Sequence, residues 1–187
     1  MSAITVDPST NSAPLTAAGL AELAQSIKDW GRELGFQQVG ISGLDLAEHE
    51  QHLERWLEAG YHGEMDYMAA HGSKRSHPDE LVPGTLRVVS LRMDYLPGDT
   101  QMAQLLAQPE KAYVSRYALG RDYHKLIRKR VQQLAERIQQ DIGPFGFRAF
   151  VDSAPVLEKA IAERAGLGWI GKNTLVLNRK AGSYFFL

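Results

Sequence analysis

FRAFVDSAPVLEK, residues 147–159, begins as an apolar run and ends as the start of a helix. Ala149-Phe150-Val151 reads as the end of a buried strand over 147–152, and Ala154-Pro155 leads into a helix predicted near 155–165. Asp152 stands at the handover between them, and its carboxylate has two open readings. As a cap, Asp152 or Ser153 accepts a backbone N–H of the first helical turn. As an acid at the end of a core strand, it is partly desolvated, which favours the neutral carboxyl and equips it to donate a proton.

Upstream, Ile127, Val131, Leu134 and Ile138 recur at helical steps and predict a helix over about 122–142, stopped by Gly143-Pro144. Its first turn, Asp122-Tyr123-His124, carries groups able to relay protons or orient a substrate. Lys125, Arg128, Lys129 and Arg130 follow and read either as a phosphate-holding cluster or as a solvated face of a helix that Asp122 caps. Before that helix, Leu86–Met93 reads as a strand and residues 97–110 as a loop. Residues 61–84 mix His, Tyr, Met and the pair Lys74-Arg75 without a period, as a lid, a ligand surface or an ordinary connection would. Further upstream, Leu20, Leu23, Ile27, Trp30 and Leu34 predict an amphipathic helix ended at Gly35. A short strand at 36–41 and a second helix over about 46–59 follow, and residues 1–14 read as a flexible tail.

Downstream, Gly166, Gly168 and Gly171 spell G-x-G-x-x-G. A dinucleotide fingerprint needs that motif between a strand and the helix it opens. Here it follows a helix and precedes a strand, so the Rossmann reading fails. These glycines either let the backbone approach a large flat ligand or turn tightly. Strands at 174–177 and 183–187 close the pattern, joined by a hairpin-like connection over 178–182. The whole reads as α/β (α+β), a mixed sheet of about five strands flanked by helices.

The 187 residues, 44% hydrophobic and 23% charged, suffice to bury one core. A net charge of −1 counts against bulk polyanion binding, so any nucleic-acid contact must be local. With no cysteine, the chain holds no thiolate nucleophile, no disulfide and no ligand set for an iron–sulfur cluster. No signal peptide or apolar stretch of membrane-spanning length is visible, and a cytoplasmic protein without a membrane partner is expected. The abrupt apolar ending, Tyr184-Phe185-Phe186-Leu187, predicts a fragment lacking a C-terminal part.

Taken together, GRDYHKLIRKR (120–130), FVDSAPVLEKAIAERAGLGWIGKNTLVLN (150–178) and GSYFFL (182–187) resemble the N-terminal half of the epoxyqueuosine reductases. YHGEMDYM, Lys74-Arg75 and LVPGTLRVVS fit the same family, and the resemblance runs from about residue 17 to the end. It implies reduction of the epoxide of epoxyqueuosine, at the wobble position of tRNA, to the alkene, the last step of queuosine biosynthesis. It also implies cobalamin, two [4Fe–4S] clusters and an external electron donor, in a monomer. Residues 15–187 would be the corrinoid-binding domain, similar to that of reductive dehalogenases and distantly to nitroreductases. A ferredoxin-like domain and a tRNA-binding helical tail would follow.

By the same resemblance, Asp152 matches the proton donor over the cobalt face, and His124 and Tyr123 the polar pair beside it. Arg75 and Ser115 match cobalamin contacts. Lys172, Asn173, Val176 and Leu187 fall where the chain packs along the corrin and its nucleotide tail, and Arg128, Lys129 and Arg130 could approach tRNA. Two departures stand out: the cluster cysteines are absent, and Ser115 stands where the family can carry Cys. The chain alone is therefore expected to be inactive or a partial cobalamin binder. Two other classes compete. A flavin oxidoreductase of the nitroreductase type would set Arg75 and Lys172 on the FMN phosphate. A non-catalytic tRNA-binding module is disfavoured by the near-neutral charge.

Overall fold

The computed structural model describes residues 2–5 and 16–187. In chain order the elements are β1 (Ser2–Thr5), α1 (Ala17–Glu33), β2 (Gln38–Ser42), α2 (Ala47–Glu58), α3 (Pro78–Leu81) and β3 (Thr85–Asp94). Then come α4 (Met102–Leu106), α5 (Tyr123–Ile142), β4 (Gly146–Ala149), α6 (Glu158–Arg164), β5 (Trp169–Ile170), β6 (Val176–Leu177) and β7 (Phe185–Phe186). The α/β class and the five-stranded sheet match the expectation from sequence. The sheet is not mixed, however: among the described residues every strand pairing is antiparallel.

β3 is the spine of the sheet, with β2 on one side and β1 then β4 on the other. Its side chains alternate between two buried faces, which is why it reads as a near-continuous apolar run. Val89, Leu91 and Met93 pack with Ile27 of α1 and with Ile127, Val131, Leu134 and Ile138 of α5. Val88 points the other way, to Leu46 and to Val156, Ala160 and Ile161 around α6. Helices thus cover both faces.

Several boundaries differ from the reading of the sequence. The tail expected over 1–14 is replaced at Ser2–Thr5 by a strand in the slot between β3 and β4, where its backbone completes both ladders; residues 6–14 lie outside the described residues. β4 stops at Ala149, three residues short of Asp152. The two closing strands do not pair with each other. β6 pairs with β5, while β7 crosses to the end of β3, with Met93 opposite Phe186. The 178–182 connection is still a tight turn, closed by Asn178 Oδ1, which accepts from the backbone N–H of Lys180 at 2.9 Å and of Ala181 at 3.2 Å.

The glycines of 166–171 serve packing and turning. Gly166, at φ +75°, ends α6, and a Cβ on Gly168 would sit 2.1 Å from the Leu177 carbonyl oxygen. Asn178 Nδ2 then donates to Leu167 O at 2.7 Å and to Gln38 Oε1 at 3.1 Å, fastening the β5–β6 hairpin to β2.

Candidate active site

Helix α5 starts where Asp122 caps it, accepting from the His124 backbone N–H at 3.0 Å. The His124 ring lies 3.0 Å from the same carboxyl, and this contact, first among the causes, holds the Asp122 carboxyl below its ordinary range. The cap turns Tyr123 and His124 toward the loop that carries Asp152. Tyr123 donates its hydroxyl to Asp152 Oδ2 at 2.5 Å, and His124 Nε2 is 3.4 Å from that oxygen. Burial, then the bond to Asp152 and that residue's charge, push the Tyr123 hydroxyl far up, so it stays a donor.

Both sequence readings of Asp152 are revised. Neither Asp152 nor Ser153 caps α6, which begins only at Glu158 with Leu157 at the cap position and no side-chain cap. Nor is Asp152 a desolvated carboxyl: its side chain is 46% exposed, because the strand has already ended. Its backbone is left-handed, at φ 56°, among non-glycine residues a rare and strained conformation that Asp tolerates better than most. Buried Phe150 and Val151 anchor the loop before it. After it, the Leu157 N–H donates to the Arg75 carbonyl at 2.9 Å.

Beside this carboxyl lies an open cleft of about 230 Å³. Its lining is part apolar, from Leu175, Val176, Phe185, Phe186 and Leu187, and part polar, from Tyr123, Asp152, Glu158 and Lys159. Tyr123 stacks on Phe186, with ring centroids 3.9 Å apart, and on His124, at 4.0 Å. The non-local β3–β7 pairing therefore sets the floor under the Tyr123–Asp152 pair. Glu158 is the group that reading the sequence missed. It reaches the cleft from the first turn of α6, and its Oε1 is buried without a hydrogen-bond partner among the described residues. Only its spacing six residues after Asp152 hinted at it. Tyr95 and Tyr117, also cleft residues, carried no periodic signal.

Of the residues singled out in the sequence, Asp152, Tyr123, Val176 and Leu187 line the cleft, and His124 reaches Asp152 from its edge. Lys172 and Asn173 sit on the exposed β5–β6 turn next to Leu175. Ser115 is exposed and opens the turn that carries Tyr117 into the cleft wall. Arg75 does not line the cleft; its guanidinium donates to Met68 O at 2.9 Å and Tyr67 O at 2.6 Å, folding the 61–84 loop onto itself. Arg128 and Lys129 are exposed, whereas Arg130 is half-buried and donates to Met93 Sδ at 3.3 Å. Among the described residues no cluster of His, Asp or Glu is placed to hold a metal ion, and no helix is long and apolar enough to cross a membrane.

Residues 75–153 match the family model described as "Epoxyqueuosine reductase QueG, DUF1730". Over 167 residues the chain is 89% identical to an epoxyqueuosine reductase of Pseudomonas aeruginosa, covering 89% of this chain and 46% of that protein. In three dimensions it is similar to the epoxyqueuosine reductase of Streptococcus thermophilus (TM-score 0.71, 25% identity, 87% of this chain and 43% of the other). It is also similar in fold to an epoxyqueuosine reductase solved with an epoxyqueuosine-modified tRNA-Tyr stem loop (TM-score 0.70, 22% identity, 89% and 44%). The chain is thus a relative of the epoxyqueuosine reductases, and it spans about half the length of the curated relatives it matches.

Proposed function

Starting from that kinship, we propose that the chain forms the corrinoid-binding part, residues 15–187, of an enzyme that reduces the epoxide of epoxyqueuosine in tRNA to the alkene of queuosine. The observation that carries this reading is the Tyr123–Asp152–His124 constellation at a cleft that Leu175, Val176, Phe185, Phe186 and Leu187 also line. The iron–sulfur clusters that the family uses would need ligands from outside this chain, which has no cysteine.

The residues fit a corrinoid. The cleft is too small and too open to enclose a macrocycle, but Val176, Phe185, Phe186 and Leu187 would give a ring apolar contact beside the polar groups of Tyr123 and Asp152. When bound, the corrinoid supplies electrons to break the epoxide C–O bond. Asp152 gives a proton to the oxygen set free. Tyr123 and His124 hold that carboxyl in place, and the high pKa of the Tyr123 hydroxyl keeps it a donor throughout. Lys172 and Asn173, on the turn beside Leu175, would meet the nucleotide tail. Arg75 and Ser115 would frame the site through the backbone of Leu157 and the turn of Tyr117. Exposed Arg128 and Lys129 are the candidates for local contact with tRNA phosphates.

The test is reconstitution of the chain with cobalamin under reducing conditions, desalting, and a visible spectrum. Retained cobalamin with a spectrum changed from that of the free cofactor is expected. Retention of FMN in its place would overturn the assignment.

A further inference from the structure

The proposed reaction has a proton balance that Asp152 alone does not meet. An epoxide oxygen is bonded to two carbons. Making the alkene breaks both C–O bonds, takes up two electrons from the reduced corrinoid of the proposed function, and needs two protons to release the oxygen as water. Asp152 holds one proton at a time. The first goes to the oxygen freed when the ring opens; the second must reach the same oxygen as it departs.

We infer that Glu158 is the store of that second proton, delivered by reloading Asp152 between the two bond cleavages. Both carboxyls line the same cleft, and Glu158 Oε1 is buried with no hydrogen-bond partner among the described residues. A carboxylate in that position would leave that oxygen buried without a donor, whereas a carboxylic acid there leaves a proton available to a neighbour. Burial, first, and the charge of Asp152 raise the Glu158 carboxyl above its ordinary value. The charge of the N-terminal amino group, and then that of Lys159, next to Glu158 on α6, oppose this. Tyr95, Tyr117 and Tyr123 also line the cleft, and burial, first, raises the phenols of Tyr95 and Tyr123, which stay neutral alongside. Glu158 thus acts through Asp152 rather than on the substrate.

This inference rests on the proposed function, and the test separates the two. Infrared spectra of the chain without cofactor are compared between wild type and Glu158→Gln at neutral pH. A protonated-carboxyl band present in wild type and lost in the variant is expected; its absence from wild type overturns the inference. Single-turnover reduction is then followed with cobalamin-loaded chain, titanium(III) citrate as electron source and an epoxyqueuosine-bearing RNA stem loop. Glu158→Gln should slow queuosine formation on the order of tenfold at pH 7.5, recover toward pH 5, and retain cobalamin as wild type does. Glu158→Asp, which keeps the acid, should regain part of the rate. A Glu158→Gln pH–rate profile that overlays wild type sinks the proton store. A wild type that retains no cobalamin sinks the proposed function, and the infrared comparison then decides the state of Glu158 by itself.

Discussion

Tyr123 donates its hydroxyl to Asp152 Oδ2 at 2.5 Å while its ring lies stacked on Phe186. The polar contact and the apolar one can be separated by a single atom. Tyr123→Phe keeps the stack and removes the bond. Stability should fall by about 1 kcal/mol. Cobalamin retention should be unchanged, and single-turnover reduction should drop. Urea denaturation and stopped-flow turnover check this; an unchanged rate would mean that Tyr123 does not position the acid.

The same hydroxyl sets an alkaline limit. Its pKa in the folded chain lies above the ordinary value of 10, so the folded state holds this proton more tightly than the unfolded one. The associated stability is complete below pH 10 and is lost as pH rises toward the folded value. The decline in unfolding free energy above pH 10 should be shallower in Tyr123→Phe than in wild type, with the remainder from Tyr95, whose pKa is also raised, chiefly by burial.

Left-handed backbone at Asp152 predicts an inverted order for two inactive variants. Asp152→Gly and Asp152→Ala both remove the carboxyl and should both abolish turnover. Glycine accepts φ 56° freely and alanine does not, so Asp152→Gly should be the more stable by about 1 kcal/mol. Equal stabilities in urea would show that the loop relaxes out of this conformation.

On the far side of the 61–84 loop, Ser76 donates to Glu50 Oε1 at 2.6 Å and His77 Nε2 lies 3.2 Å from both carboxylate oxygens. The Ser76 bond, first, holds the Glu50 carboxyl below its ordinary value of 4.5. A depressed carboxylate contributes stability that is present above pH 4.5 and lost as pH falls through the folded value. Glu50→Gln should therefore be less stable than wild type at pH 7 and converge with it in acid. Parallel pH–stability curves would rule this tie out.

Gly168 tests the mounting of the cleft wall. A Cβ there would meet the Leu177 carbonyl oxygen at 2.1 Å, a backbone atom with no rotamer to yield. Gly168→Ala should cost about 2 kcal/mol and weaken cobalamin retention, since β6 carries Val176. A loss under about 0.5 kcal/mol would show the hairpin to be loosely held.

What could be read along the chain was local. The period of Ile127, Val131, Leu134 and Ile138 placed α5 on the core; Asp122 marked its cap, and Gly35 and Gly143 marked helix ends. These follow from side-chain spacing and backbone chemistry within a few residues, which any sequence carries. Tertiary structure decided the rest. Asp152 left both a cap and a buried acid open, because neither its exposure nor its left-handed turn has a signature in residue order. The closing strands looked like a hairpin, yet β7 pairs with β3, since the open edge of that strand satisfies its backbone groups and brings Phe186 under Tyr123. Glu158 drew no reading from the sequence; only the closing of the cleft by residues distant in sequence buries its oxygen in the cleft that Asp152 also lines. Burial and strand partnership are sums over the whole fold, so the chemistry of the cleft emerges only when the chain has closed around it.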